Sequence, residues 1–149
     1  MYTIDNIVNL KKHPITSLDL YAKKCHNKIK HQSVLQLDNF LTKEALQNLT
    51  NEANELKEKA FYCSKLHTIL LKKTNKNLKN DDPCNVEVKS DKGCVPHDLI
   101  PKNSYLNQIY SSDEFINFIK NVLGLKKIYA YKDTLSSINY NYYEKNQQL

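Results

Sequence analysis

The sequence predicts an α+β chain in which helices come first and strands gather toward the end. Three observations predict it. Apolar residues recur at helical spacing between residues 17 and 60, a second helical stripe runs over residues 115–123, and residues 128–131 and 135–143 read as strands. With 149 residues and a hydrophobic fraction of 40%, the chain is sized for a single domain, residues 1–149, with a modest core.

Taken in order, Pro14 closes a short leader, and a helix is expected from Ser17, where Leu18, Tyr21, Ala22, Cys25 and Ile29 recur behind a capping hydroxyl. Residues 33–37 read as a short strand, and Asp38 and Asn39 as a turn. The clearest amphipathic helix follows. Leu41, Ala45, Leu46, Leu49, Ala53, Leu56 and Ala60 make its apolar stripe, and Lys43, Glu44, Glu52, Glu55, Lys57 and Glu58 its wet side. Residues 65–71 suit a strand covered on one side. Residues 74–90, rich in Asn, Lys and Asp around Pro83, are expected to be a mobile surface loop.

Residues 105–110 predict a short helix, and Ser111 with Glu114 has the spacing of a capping box for the next one. Phe115, Phe118, Ile119, Val122 and Leu123 form its packed face, and Gly124 is placed to end it. In the last strand Ser137, Asn139, Asn141 and Tyr143 share one face, while Ser136, Ile138, Tyr140 and Tyr142 share the other. The first face is polar enough to suit either a solvent-wetted edge or the wall of a polar cavity inside a barrel. The strand has no later segment to pair with, so the chain is expected to be truncated.

The charge and the motifs remove several function classes. All 22 basic residues are lysines, so the net charge of +6 comes without the guanidinium forks that clamp phosphates and read guanine edges. A nucleic-acid partner is not expected, and the lysines are read as a solvated surface. Cys25, Cys63, Cys84 and Cys94 show no Cys-x-x-Cys spacing and are expected to be free thiols. There is no long apolar run and no signal-like start, so no membrane partner and a cytoplasmic location are expected. With two glycines the chain holds no phosphate loop, and it has no nucleophile elbow.

Among His13, His26, His31, His67 and His97, no two share a helical turn and none has an acidic residue two positions later. The adjacent pair His97 and Asp98 diverges on a regular backbone, so His97 is expected to be a loop histidine with a local hydrogen bond rather than a metal ligand.

Several stretches resemble a known family. Ser90-Asp-Lys-Gly-Cys-Val95, Asp98-Leu-Ile-Pro101, Tyr105-Leu106, the helix to Leu123-Gly124, Tyr131-Lys-Asp-Thr-Leu-Ser-Ser-Ile-Asn139 and the ending Gln147-Gln148-Leu149 look like the front part of a non-haem Fe(II) and 2-oxoglutarate dependent oxygenase. They are most similar to the group that contains halogenases of free amino acids such as lysine. The resemblance runs from about residue 40 onward. It implies helices packed on the first strands of an incomplete double-stranded β-helix, a cupin-like jelly roll. It also implies that both iron-binding histidines lie beyond Leu149, in and after a Gly-Trp-His segment, together with the carboxylate that hydroxylases keep and halogenases give up for chloride. Fe(II) and 2-oxoglutarate would then be cofactors of the complete enzyme, acting on a small amino-acid-like substrate. This chain would bind neither and would be inactive.

Carried over by position, Asn139 and Tyr142 are the candidates for hydrogen bonds near 2-oxoglutarate, on opposite faces if the strand is regular. Asp133 is the candidate for a cationic substrate amine, with a turn-forming role as its alternative. The competing reading is a non-enzymatic interaction domain whose lysine-rich surface meets an acidic partner or nucleic acid. A further expectation is self-association through the exposed last strand.

Overall fold

The computed structural model describes residues 3–147, with only the backbone at residues 18 and 19. Met1, Tyr2, Gln148, Leu149 and the Leu18 side chain, on which parts of the sequence reading fell, lie outside the described residues. The described residues form an α+β fold of five α-helices and a three-stranded antiparallel open sheet.

A one-turn helix α1 (Ile4–Ile7) leads to Val8, which bridges to Leu41. The backbone amides of Asn9 and Thr42 donate to Phe40 and Ile7. The leader is therefore strapped to the segment before the third helix, and its Ile7 and Val8 are buried. Helix α2 (Leu18–Gln32) turns Ala22 and Cys25 into the core and ends at Ser33, whose φ of 57° breaks the helix. The Ser17 side chain makes no capping bond.

No strand forms at residues 33–37. Leu35 and Leu37 instead pack half-buried on the helical core. The apolar alternation that suggested a strand records this one-sided burial, and no backbone ladder goes with it. The turn at Asp38 and Asn39 is present, with Asn39 at φ 56°.

Helix α3 (Lys43–Leu56) starts on Thr42, whose hydroxyl accepts the Ala45 amide at 3.0 Å. Its stripe differs from the predicted one at both margins. Leu46 is 57% exposed, Ala60 lies beyond the helix, and Glu52, assigned to the wet side, is half-buried.

Helices α4 (Tyr105–Ser111) and α5 (Asp113–Leu123) follow the sheet's second strand. Ser112, one residue later than expected, caps α5 through the Phe115 amide, because Ser111 still belongs to α4 and its hydroxyl donates back to Asn107. Gly124 ends α5 at φ 67°. The Phe118 ring stacks on Tyr21 at 5.8 Å, and His26 Nδ1 donates to the Val122 carbonyl at 2.8 Å, fastening α2 to the end of α5. Leu123, predicted to pack, is 44% exposed.

The sheet consists of β1 (Phe61–Thr68), β2 (Glu87–Pro96) and β3 (Asn139–Tyr142), with β2 in the centre. Three expectations shift. Strand β1 begins before residue 65 and stops at Thr68, and β2 takes residues 87–90 from the predicted loop, leaving 69–86 as the connection.

Residues 128–131 form no strand. The Tyr110 hydroxyl accepts the Tyr131 amide and donates to the Tyr131 carbonyl, satisfying both backbone groups without a ladder. The last strand is shorter than predicted because Asp133 organises residues 133–137 into a turn. The core has two parts. A larger cluster joins all five helices, and a smaller one of Leu56, Val95, Ile100 and Ile138 lies under the sheet.

Candidate functional site

Strand pairing assigns each sheet residue to a face. Tyr62, Gly93 and Tyr142 are direct neighbours across the three strands, and so are Phe61, Cys94 and Asn141 one step along. The first set, with Val95 and Tyr140, faces the helices. Val95 is fully buried, Tyr140 and Tyr142 pack beside Leu56, and the Tyr142 hydroxyl donates to the Ala53 carbonyl of α3 at 2.5 Å. The second set faces away. Phe61 is 70% exposed, and Asn139 and Asn141 join side chain to side chain at 2.6 Å on that same face. Helices thus cover one side of the sheet at Val95, Tyr140 and Tyr142, leave that side open at Ser64 and Leu66 of β1, and leave the other side uncovered at Phe61 and Asn141.

The predicted residues fall into different environments. Asn139 sits on the bare face opposite Pro96, and Tyr142 on the covered face, so the structure does not bring the two together. Asp133 forms the turn. Its carboxylate accepts the amides of Leu135 and Ser136 at 2.8 and 2.7 Å and the Ser136 hydroxyl at 3.1 Å, and these bonds hold its pKa below the ordinary carboxylate value.

The Asp133 carbonyl also lies 3.2 Å from His97 Nδ1. His97, in a 3-10 turn at the end of β2, has Nδ1 2.7 Å from the Ser137 hydroxyl and Nε2 2.6 Å from Asn107 Oδ1. The Asn107 amide nitrogen donates to the Pro101 carbonyl, so its oxygen faces the ring and Nε2 is the donor. The expected local hydrogen bond of His97 is therefore present, and it ties the β2 end to α4 and to the turn before β3. A groove of about 490 Å³ opens beside it, lined by His97, Asp98, Lys102, Asn107, Gln108 and Thr134 among others.

A second polar centre was missed by the sequence reading. Glu52 Oε1 accepts the Ser104 hydroxyl at 2.6 Å and the Tyr140 hydroxyl at 2.7 Å, joining α3, the start of α4 and β3. Burial, followed by the Glu52 bond and charge, pushes the Tyr140 pKa far up. Burial, with smaller contributions from Tyr62, Cys94 and Glu52, raises that of Tyr142. A signal was available: Glu52 stands three residues after Leu49 and four before Leu56, which is core-stripe spacing.

Among the described residues no group of three or more His, Cys, Asp or Glu side chains is placed to hold a metal ion. The ring nitrogens of His13 bond Tyr21 and the Asp38 carbonyl, those of His97 are taken as described, and one nitrogen each of His26 and His67 meets a backbone carbonyl. These residues do not fit an iron centre. All four cysteines are free thiols, and among the described residues no helix is long and apolar enough to cross a membrane. Comparison with protein-family models, curated proteins and solved structures found no match to this chain.

Proposed function

We propose that this chain is the front part of an Fe(II) and 2-oxoglutarate dependent oxygenase, a hydroxylase or halogenase of a small amino-acid-like substrate. In it, the bare face of the β1-β2-β3 sheet becomes the inner wall of a double-stranded β-helix. The residue-level resemblance over residues 90–139 supplies the family. The observation that carries the reading is the asymmetry of the sheet over β2 and β3, with helices against Val95, Tyr140 and Tyr142 on one face and half-buried Asn139 beside exposed Asn141 and Phe61 on the other. A barrel strand needs such a division, one side packed outward and the other turned to a cavity.

The same asymmetry separates the candidates. Asn139, on the bare face, is the residue that would reach a cosubstrate in the interior. The Tyr142 hydroxyl is bonded to α3, and Oδ1 of the Asp133 carboxylate takes the bonds of its turn. The resemblance puts the iron ligands past Leu149, so in this reading the present residues supply scaffold and one wall.

The test is to read the coding DNA past the codon for Leu149. An in-frame Gly-Trp-His continuation is expected, with His-x-Asp or His-x-Glu marking a hydroxylase and His-x-Gly or His-x-Ala a halogenase. Absence of any such reading frame overturns the proposal.

A further inference from the structure

The connection between β1 and β2 carries an apolar apex inside a cationic segment. Ile69, Leu70 and Leu71 are 58%, 56% and 78% exposed, and Leu66 just before them is 63% exposed. Residues 65–80 include Lys65, Lys72, Lys73, Lys76 and Lys79 and no acidic residue, and the two acidic residues of the connection, Asp81 and Asp82, lie at its far end. The apex is also held in shape. Thr68, 2% exposed, donates its amide to the Lys72 carbonyl, accepts the Leu71 amide on its own carbonyl and accepts the Leu70 amide on its hydroxyl. Leu71 takes a left-handed φ of 56°, a conformation that costs a leucine stability and that the turn around Thr68 imposes. Further on, Asn85, 5% exposed, accepts the Asn75 amide and donates to the Lys79 carbonyl, which pins the lysine-bearing loop.

We propose that this hairpin apex docks on an anionic lipid surface, with Ile69, Leu70 and Leu71 entering the headgroup layer and the flanking lysines meeting its negative charge. The occupant follows from charge and shape together. A polyanion such as nucleic acid would use the lysines and leave three adjacent aliphatic side chains in water, whereas a second copy of the same apex would bring five lysines against five. An anionic bilayer satisfies both halves, because aliphatic side chains gain by leaving water at the interface and each lysine near the surface adds attraction. The expectation of no membrane partner rested on the lack of a spanning segment, a test that a short apolar loop tip escapes. The inference rests on the hairpin alone and is independent of the oxygenase reading.

Flotation of the full 149-residue chain with phosphatidylserine-containing vesicles, against pure phosphatidylcholine vesicles, tests it. Binding to the anionic vesicles alone is expected, with a loss of about tenfold or more in both the Leu70→Asp/Leu71→Asp and the Lys72→Glu/Lys73→Glu variants. As the chain has no Trp, Leu70→Trp adds a unique reporter whose emission shifts to the blue on adding anionic vesicles. No flotation, or flotation indifferent to the Leu70→Asp/Leu71→Asp change, overturns the proposal, the latter leaving simple polycation adsorption that nucleic acid would share. A wild-type dimer in sedimentation velocity that this double variant dissolves would overturn it in favour of a second copy.

Discussion

Replacing Glu52 by Ala removes the one acceptor shared by the Ser104 and Tyr140 hydroxyls. Ser104 is 4% exposed and its oxygen already accepts the Leu106 amide, so its proton loses its partner inside the fold. Two hydrogen bonds to a carboxylate at about 1.5 kcal/mol each give about 3 kcal/mol. A cleft of about 280 Å³ bordered by Asn48, Glu52, Asn103 and Ser104 admits water to the vacated place and returns part of that. The expected net loss is about 2 kcal/mol, or about 4–8 °C in Tm for a domain of this size. Tyr140→Phe alone should cost about 1 kcal/mol, and Glu52→Gln, which keeps a neutral acceptor, about half the alanine loss.

The assay is equilibrium urea unfolding of the wild type, both single variants and the Glu52→Ala/Tyr140→Phe pair. If the bond exists, Tyr140→Phe costs almost nothing once Glu52 is gone, a coupling of about 1 kcal/mol. Strict additivity, with coupling below about 0.3 kcal/mol, would falsify the claim that this carboxylate ties the sheet to the helices.

Three further predictions concern the rest of the fold. Phe118→Ala should lose about 3–5 kcal/mol in the same unfolding assay, because the ring is 1% exposed and stacked on Tyr21, and a loss under about 1 kcal/mol would mean that the helical core is packed otherwise. Gly124→Ala should cost about 1 kcal/mol, since an alanine at φ 67° is strained and its Cβ would stand 3.2 Å from the His26 ring, and an unchanged urea midpoint would contradict that helix end.

Stability should also fall with rising pH above about 10. Burial and Cys25 push Tyr21 up to about 12, and burial raises Tyr140 and Tyr142, the former helped by Glu52, so each phenol has a higher folded than unfolded pKa. Their contribution is whole below the unfolded pKa of 10 and is lost as pH climbs through the folded values. Tyrosine ionisation followed at 295 nm should lag in the folded protein, and coincident folded and unfolded titrations would remove the effect.

What could be read in the sequence was what repeats along the chain. The stripes of α2, α3 and α5, the Gly124 stop and the alternation of Ile138, Tyr140 and Tyr142 against Asn139 and Asn141 each depend on spacing within one segment, and they are present except at the stripe margins, where Leu46 and Leu123 are exposed and Ala60 lies past α3. Misreadings arose where a distant group decided the outcome. Residues 128–131 look like a strand until the Tyr110 hydroxyl takes both backbone groups of Tyr131. Residues 33–37 look like one until their alternate leucines find the helical core with no ladder beside them. Glu52 looked wet because its type outweighed its position, and its partners are 52 and 88 residues away in sequence. That Asn139 and Tyr142 lie on opposite faces could be read from the strand spacing, but which of them faces the helices could not, since that depends on what covers the sheet.

That choice of face is fixed by how the three strands pack on one another and on α3. The Tyr62 ring lies over Gly93 so closely that a Cβ there would stand 2.7 Å from its Cε1 atom, and Tyr142 flanks the same glycine on the other side. A slip of one residue between β1 and β2 would put Lys92 or Cys94 under the ring, and would also turn Val95 out of the small core. Between β2 and β3, Tyr140 is opposite Val95 and bonded to Glu52, so a slip there would lift its hydroxyl off the carboxylate and bury Asn139 or Asn141 among apolar side chains. The bareness of the Asn139 face is therefore a consequence of how strongly the other face is specified. Three tyrosines, one glycine and one carboxylate set the register, and the register leaves Asn139 on the side of the sheet away from the helices.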